Sequence, residues 1–178
     1  AHINPQAAYI FAASHNSTEA PTGPQPLESG LFISREWMME CKITWAGEGV
    51  SFTAETGSKH QIVMDGAPEA GGKNLGARPM ELLLAGTGGC TAFDVVAILR
   101  KGRHDITGCE IAIQAERAQT DPKVFTRIHF DFRISGRNLR PEVVSRAIEL
   151  SKEKYCSASI MLAKTAEITH RFEIIESA

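Results

Sequence analysis

Two of the four cysteines in this chain sit where sulfur chemistry is plausible: Cys90, inside the run Arg78 to Arg100, and Cys156, between two helical stretches. A thiolate is both nucleophile and reductant, so the question is which neighbours stabilise charge on sulfur. At about 100° per residue, Thr87, Thr91, Asp94 and Lys101 share one narrow stripe of a helix, and Cys90 borders it. Burial and a nearby carboxylate each raise a thiol pKa, so this setting alone does not mark Cys90 as reactive. Cys156 lies where one helix ends and Ser157 can cap the next, with Lys152 and Lys154 close in sequence. Amides at a helix start and nearby cations both favour a thiolate. Cys41 and Cys109 fall on the apolar side of predicted strands and read as core fillers. There is no CxxC and no zinc-like spacing.

The element carrying Cys90 is predicted as one long helix entered at Pro79, where a missing amide hydrogen costs nothing. Leucines 82, 83 and 84, with Phe93, Val95 and Val96, wrap most of its circumference, so it is expected to be buried on nearly every side. One small sheet cannot cover such a helix. The glycines at 86, 88 and 89 allow another backbone to approach closely, which favours a dimer burying this helix between subunits. Asp94 has two readings, a proton relay beside Cys90 or an ion pair with Arg100 or Lys101 of a partner helix, and the second is preferred. Thr87 and Thr91 are expected to return their hydroxyls to the helix backbone.

The surrounding pattern is α+β. Residues 1–37 are rich in Pro, Gly, Ser and Thr without a steady period, and read as a leader or flexible arm ahead of a domain spanning 38–178. From Met39 apolar residues alternate through three short strands joined by tight turns. Gly66 to Ala77 reads as a flexible loop. After the central helix come two longer strands, around Cys109 to Glu116 and Arg127 to Ile134. A helix follows from Pro141, a short one from Ser157 to Lys164, and a last strand from Glu167 to Ile175. The order is β-β-β-α-β-β-α-α-β, with antiparallel sheets around the long helix. A formal net charge of −2 gives no case for nucleic acid or an anionic membrane, and no stretch is recognised as long enough to cross a bilayer.

Pro79-Met-Glu-Leu, the small-residue run ending Gly-Gly-Cys90, and Glu153-Lys-Tyr-Cys156-Ser ahead of Glu167-Ile-Thr-His together resemble the OsmC-like family, which includes organic hydroperoxide resistance proteins. The resemblance covers Met39 to Ile175. It implies an intertwined cytoplasmic homodimer with long helices packed centrally. It further implies thiol peroxidase chemistry without a cofactor: Cys90 attacks a peroxide to give a sulfenic acid, Cys156 condenses with it to a disulfide, and an external dithiol reduces the product. An apolar pocket at the dimer interface is expected, with Met80, Phe93 and Met161 as walls. The charged partners differ. The family's glutamate directly follows the opening proline, where this chain has Met80, and Glu81 is nine residues before Cys90, on the opposite face. No arginine lies near Ile62 to Gly66, which leaves Arg78 as the nearest candidate, reaching the thiols from a loop or across the dimer.

Two other readings are open at this stage. The loss of the family glutamate favours a binding protein for an apolar or electrophilic small molecule on the same fold. Metal binding through His60, His104, His129 or His170 is disfavoured, because His129 and His170 fall on different predicted strand faces.

Overall fold

The computed structural model describes residues 38–177, so the expectation for 1–37 lies outside the described residues. Strands β1 (Cys41–Trp45), β2 (Phe52–Thr56) and β3 (Gln61–Met64) form one sheet in that order. The long helix α1 (Pro79–Lys101) follows. Strands β4 (Asp105–Arg117) and β5 (Phe125–Arg137) come next, then α2 (Pro141–Leu150), a π-helical turn (Ser151–Tyr155), α3 (Ser157–Leu162) and β6 (Glu167–Glu176). The element order is the expected one.

The core is built on one face of the second sheet, ordered β4-β5-β6. Period-two alternation puts Ile128, Phe130, Phe132 and Ile134 of β5 on that face, all buried. Register sets Ile111 beside Phe132 and Ile113 beside Phe130 on one side, and Phe172 beside Phe132 on the other. The reverse face carries exposed pairs between strands, Arg127–Glu167, Arg133–Glu173 and Arg171–Asp131, which are solvated and worth little individually. Val144, Ala147 and Ile148 of α2 join the cluster, as do Val95 and Leu99 of α1.

Three expectations are corrected, and a fourth, the cover expected around α1, is met on one side within the chain. β6 pairs with β5 in parallel, not antiparallel, because the chain crosses back through α2, the π turn and α3 before starting it. The α1 helix is covered on one side only. Thr87, Gly88, Thr91, Val95 and Leu99 are buried, whereas Leu83 is 49% and Phe93 75% exposed. Among the described residues its cover comes mainly from β4, α2, the π turn and α3. This helix is also long and apolar enough by composition to cross a bilayer, with a mean hydropathy of 1.8, though its polar stripe is packed against protein. Lastly, every residue of β1 is exposed, so Cys41 is not a core filler; Cys109 is half-buried against the core.

The loop from Gly66 to Ala77 is tied down by one buried carboxylate. Asp65 accepts the backbone amides of Gly66 (2.7 Å), Lys73 (2.9 Å) and Leu75 (3.0 Å). Those amide bonds, led by Leu75, outweigh desolvation and hold its pKa below the ordinary carboxylate value. The chain therefore enters α1 from a fixed point.

Candidate active site

Three features of the backbone bring the two cysteines together. Gly88 lets α1 lie close on β4: a Cβ there would come within 2.6 Å of Ile113 Cδ1. Ser151–Tyr155 winds as a π turn, with the Cys156 amide donating to the Ser151 carbonyl at 2.8 Å. This wider turn rotates Ser151 and Cys156 inward, and both are fully buried. Finally α3 starts at Ser157 as expected, but its N-cap is Cys156 and not Ser157. The Cys156 sulfur accepts the Ser159 amide at 3.4 Å, a thiol in the place an N-cap hydroxyl usually takes.

The result is a compact cluster. Cys90 Sγ, Cys156 Sγ and a carboxylate oxygen of Asp94 all lie within 4.8 Å of one another. Both cysteines are free thiols, so closing to the roughly 2.05 Å of a disulfide needs only a local adjustment. Three donors fall short of the four that a closed zinc centre takes, and none of the histidines weighed above joins them.

The two sulfurs have opposite electrostatics. Burial raises the pKa of Cys90, as do the bond it donates to Cys156 and the charges of Cys156 and Asp94; the Ala158 amide offsets part of this. Burial also acts to raise Cys156. There, however, the Ser159 hydroxyl at 3.1 Å, the Thr91 hydroxyl at 3.3 Å, the Cys90 thiol and the Ser159 amide together bring it below the ordinary thiol value. The negative charge of the pair therefore belongs on Cys156, in line with the helix-start argument from sequence. Access runs the other way: Cys156 is fully buried and Cys90 only half so.

The other sequence candidates divide. Asp94 is in the cluster and, within the chain, accepts a hydrogen bond from Ser151 Oγ at 2.9 Å. Thr87 and Thr91 do return their hydroxyls to Leu83 and Thr87 carbonyls (2.7 and 3.0 Å), and Thr91 also reaches Cys156. Arg78 caps α1 and pairs with Glu81 at 3.0 Å, twelve residues and about 18 Å along the helix from Cys90. Met80 packs on the core near that same end, while Phe93 and Met161 are exposed. Sequence reasoning missed Ser151 and Ser159. Ser159 stands three residues after Cys156, the capping distance, and that spacing is the signal that would have found it. Nothing in sequence announces a π turn at Ser151.

A model of the OsmC-like protein family matches residues 71–171, more than half the chain and both cysteines. The chain belongs to the OsmC-like family. This OsmC-like chain is 44% identical to protein YhfA of Escherichia coli strain K12 over 137 residues, covering 77% of this chain and 98% of YhfA. A crystal structure of a hypothetical protein from Aquifex aeolicus aligns with TM-score 0.69 at 26% identity, over 79% of this chain and 98% of that one. An organic hydroperoxide resistance protein OsmC from Legionella pneumophila aligns with TM-score 0.61, over 79% and 99% of the two chains; at 13% identity it speaks for the fold alone.

Proposed function

We propose that this OsmC-like protein is a thiol-dependent reductase of organic hydroperoxides. Cys90 meets the peroxide, Cys156 closes the disulfide, and an external dithiol restores both. The observation that carries this reading is the cluster itself: two free sulfurs and a carboxylate within 4.8 Å, one sulfur surrounded by hydrogen-bond donors. A homodimer is part of the proposal. Phe93 and Leu83 leave an apolar α1 face bare beside a hollow of about 560 Å³, where a second copy would complete an apolar substrate pocket. Thiols are counted before and after a slight excess of cumene hydroperoxide, and the peptides are mapped. The expected outcome is loss of two thiols and a new Cys90–Cys156 disulfide. Unchanged thiols would refute the proposal.

A second reading, a non-catalytic binder of apolar or electrophilic molecules, is favoured by that same hollow, whose walls are Gly89, Ala92, Phe93, Val96 and Ala97 with Arg100 at its edge. Thermal stabilisation by fatty compounds with no thiol loss would support it.

A further inference from the structure

Cys90 is the sulfur a peroxide can reach, yet its proton is held; Cys156 is set up to carry charge, yet is sealed from solvent. Among the described residues, the groups hydrogen-bonded to Cys156 are hydroxyls, an amide and a carbonyl, and the carboxylate beside the two sulfurs is Asp94, so the ionisation of Cys90 and the protonation of the departing alkoxide fall to the pair itself. We infer that Cys156 does both: it takes the Cys90 proton as Cys90 attacks, returns it to the leaving alkoxide, and then resolves the sulfenic acid. This rests on the peroxidase reading above.

The hydrogen bonds allow Cys156 to exist in both protonation states. As a thiolate it accepts from the Ser159 hydroxyl at 3.1 Å, from the Thr91 hydroxyl at 3.3 Å and from the Ser159 amide at 3.4 Å. As a thiol its hydrogen points to the Thr87 carbonyl at 4.0 Å. The single Thr91 hydrogen then turns to that same carbonyl at 3.0 Å or to Ser159 Oγ at 3.2 Å. Two rotating hydroxyls thus follow the charge without moving heavy atoms, which keeps the cost of proton exchange low. Thr91 and Ser159 are positioning residues in this scheme. Asp94, fixed by Ser151, keeps charge off Cys90 until the peroxide arrives.

The steps balance. The proton passes from Cys90 to the Cys156 thiolate. Cys90 sulfur attacks the distal peroxide oxygen, the O–O bond breaks, and the alkoxide takes the proton back from Cys156 to leave as alcohol. The Cys156 thiolate then attacks the Cys90 sulfenic sulfur and expels hydroxide. One thiol, one thiolate and one hydroperoxide become one disulfide, one alcohol and one hydroxide.

A cysteine that only resolves acts after the first step; a proton carrier acts within it. The test is therefore the rate of Cys90 oxidation by cumene hydroperoxide across pH, read by quenched alkylation and mass spectrometry as disulfide plus sulfenic acid, the latter trapped by dimedone in Cys156→Ser. The titratable groups around Cys156 are Cys90 and Asp94 of α1, with Lys152 and His170 across the small cavity lined by Thr91 and Ser159. In the wild type the rate should level off once Cys156 ionises, because further base no longer raises the share of reactive pairs. In Cys156→Ser it should fall at least tenfold at neutral pH and keep climbing into the range where Cys90 itself ionises. Thr91→Val and Ser159→Ala, which retain both thiols, should move the wild-type plateau to higher pH. Equal rates and equal profiles in wild type and Cys156→Ser, with a plateau unmoved in the other two, would overturn the inference and leave the peroxidase reading standing. A wild type whose Cys90 is never oxidised would overturn both.

Discussion

Removing the Phe93 ring tests whether the bare side of α1 is a subunit interface. Phe93 is 75% exposed in the single chain. An aromatic side chain buries about 200 Å² when fully covered, so about 150 Å² of Phe93 is available to a partner. At about 25 cal/mol per Å², and keeping the β-carbon, truncation to alanine forfeits about 2–3 kcal/mol per copy. A two-fold interface presents the same residue from both sides, so Phe93→Ala weakens the dimer by about 5 kcal/mol, or three to four orders of magnitude in Kd. Sedimentation equilibrium from nanomolar to high micromolar protein reads this directly. The expected result is a wild-type dimer at low micromolar concentration and a variant that is monomeric there, with unchanged circular dichroism. Two results would refute the reasoning: a wild type monomeric at 100 µM (a concentration of about −5.5 kcal/mol on the same scale), or a variant dimer as tight as the wild type.

Two further substitutions test the scaffold. Asp65→Asn removes the charge that holds Gly66, Lys73 and Leu75 amides. The folded pKa of Asp65 lies below the ordinary carboxylate value, so its stabilisation is full above that ordinary value and is lost as pH falls through the folded one. Thermal melts should accordingly show a destabilised variant at neutral pH and a gap that closes in strong acid; a gap independent of pH would refute the assignment. Leu99→Ala empties a site that is 1% exposed and should cost about 3 kcal/mol in urea titrations, with the peroxide reactivity of the folded fraction unchanged.

The order of elements was legible because the alternation in β5 and the apolar run of α1 are both long, and long periodic segments leave little freedom. The direction of β6 was not. Alternation fixes which side chains face the core but is blind to whether a strand runs with or against its neighbour, and the crossover through α2 and α3 decides that. At the site, the helix-start argument favoured a lower pKa for Cys156, while the pairing of Cys90 with Cys156 came from the family resemblance, since the residues taken singly read as structural. Ser159 was legible from its capping distance to Cys156 and went unread, whereas the link from Ser151 to Asp94 was not legible, because it depends on how α1 packs against the π turn and not on spacing within either element. Arg78 was the natural cation to nominate when counting along the sequence; within the chain it pairs with Glu81, at the far end of α1 from Cys90.

The parallel pairing of β6 with β5 bears on how the molecule is made. β5 is the central strand of its sheet, and its second edge stays open until residues 167–176 have left the ribosome. A chain grows from its N-terminus, so β4, β5 and the Cys90 helix are all exposed to the cell while that edge is unpaired. Cys90 and Cys156 meet only through elements on either side of this gap. A nascent chain therefore carries Cys90 before Ser151, Cys156 and Ser159 exist, and the cluster can assemble only after synthesis has passed α3.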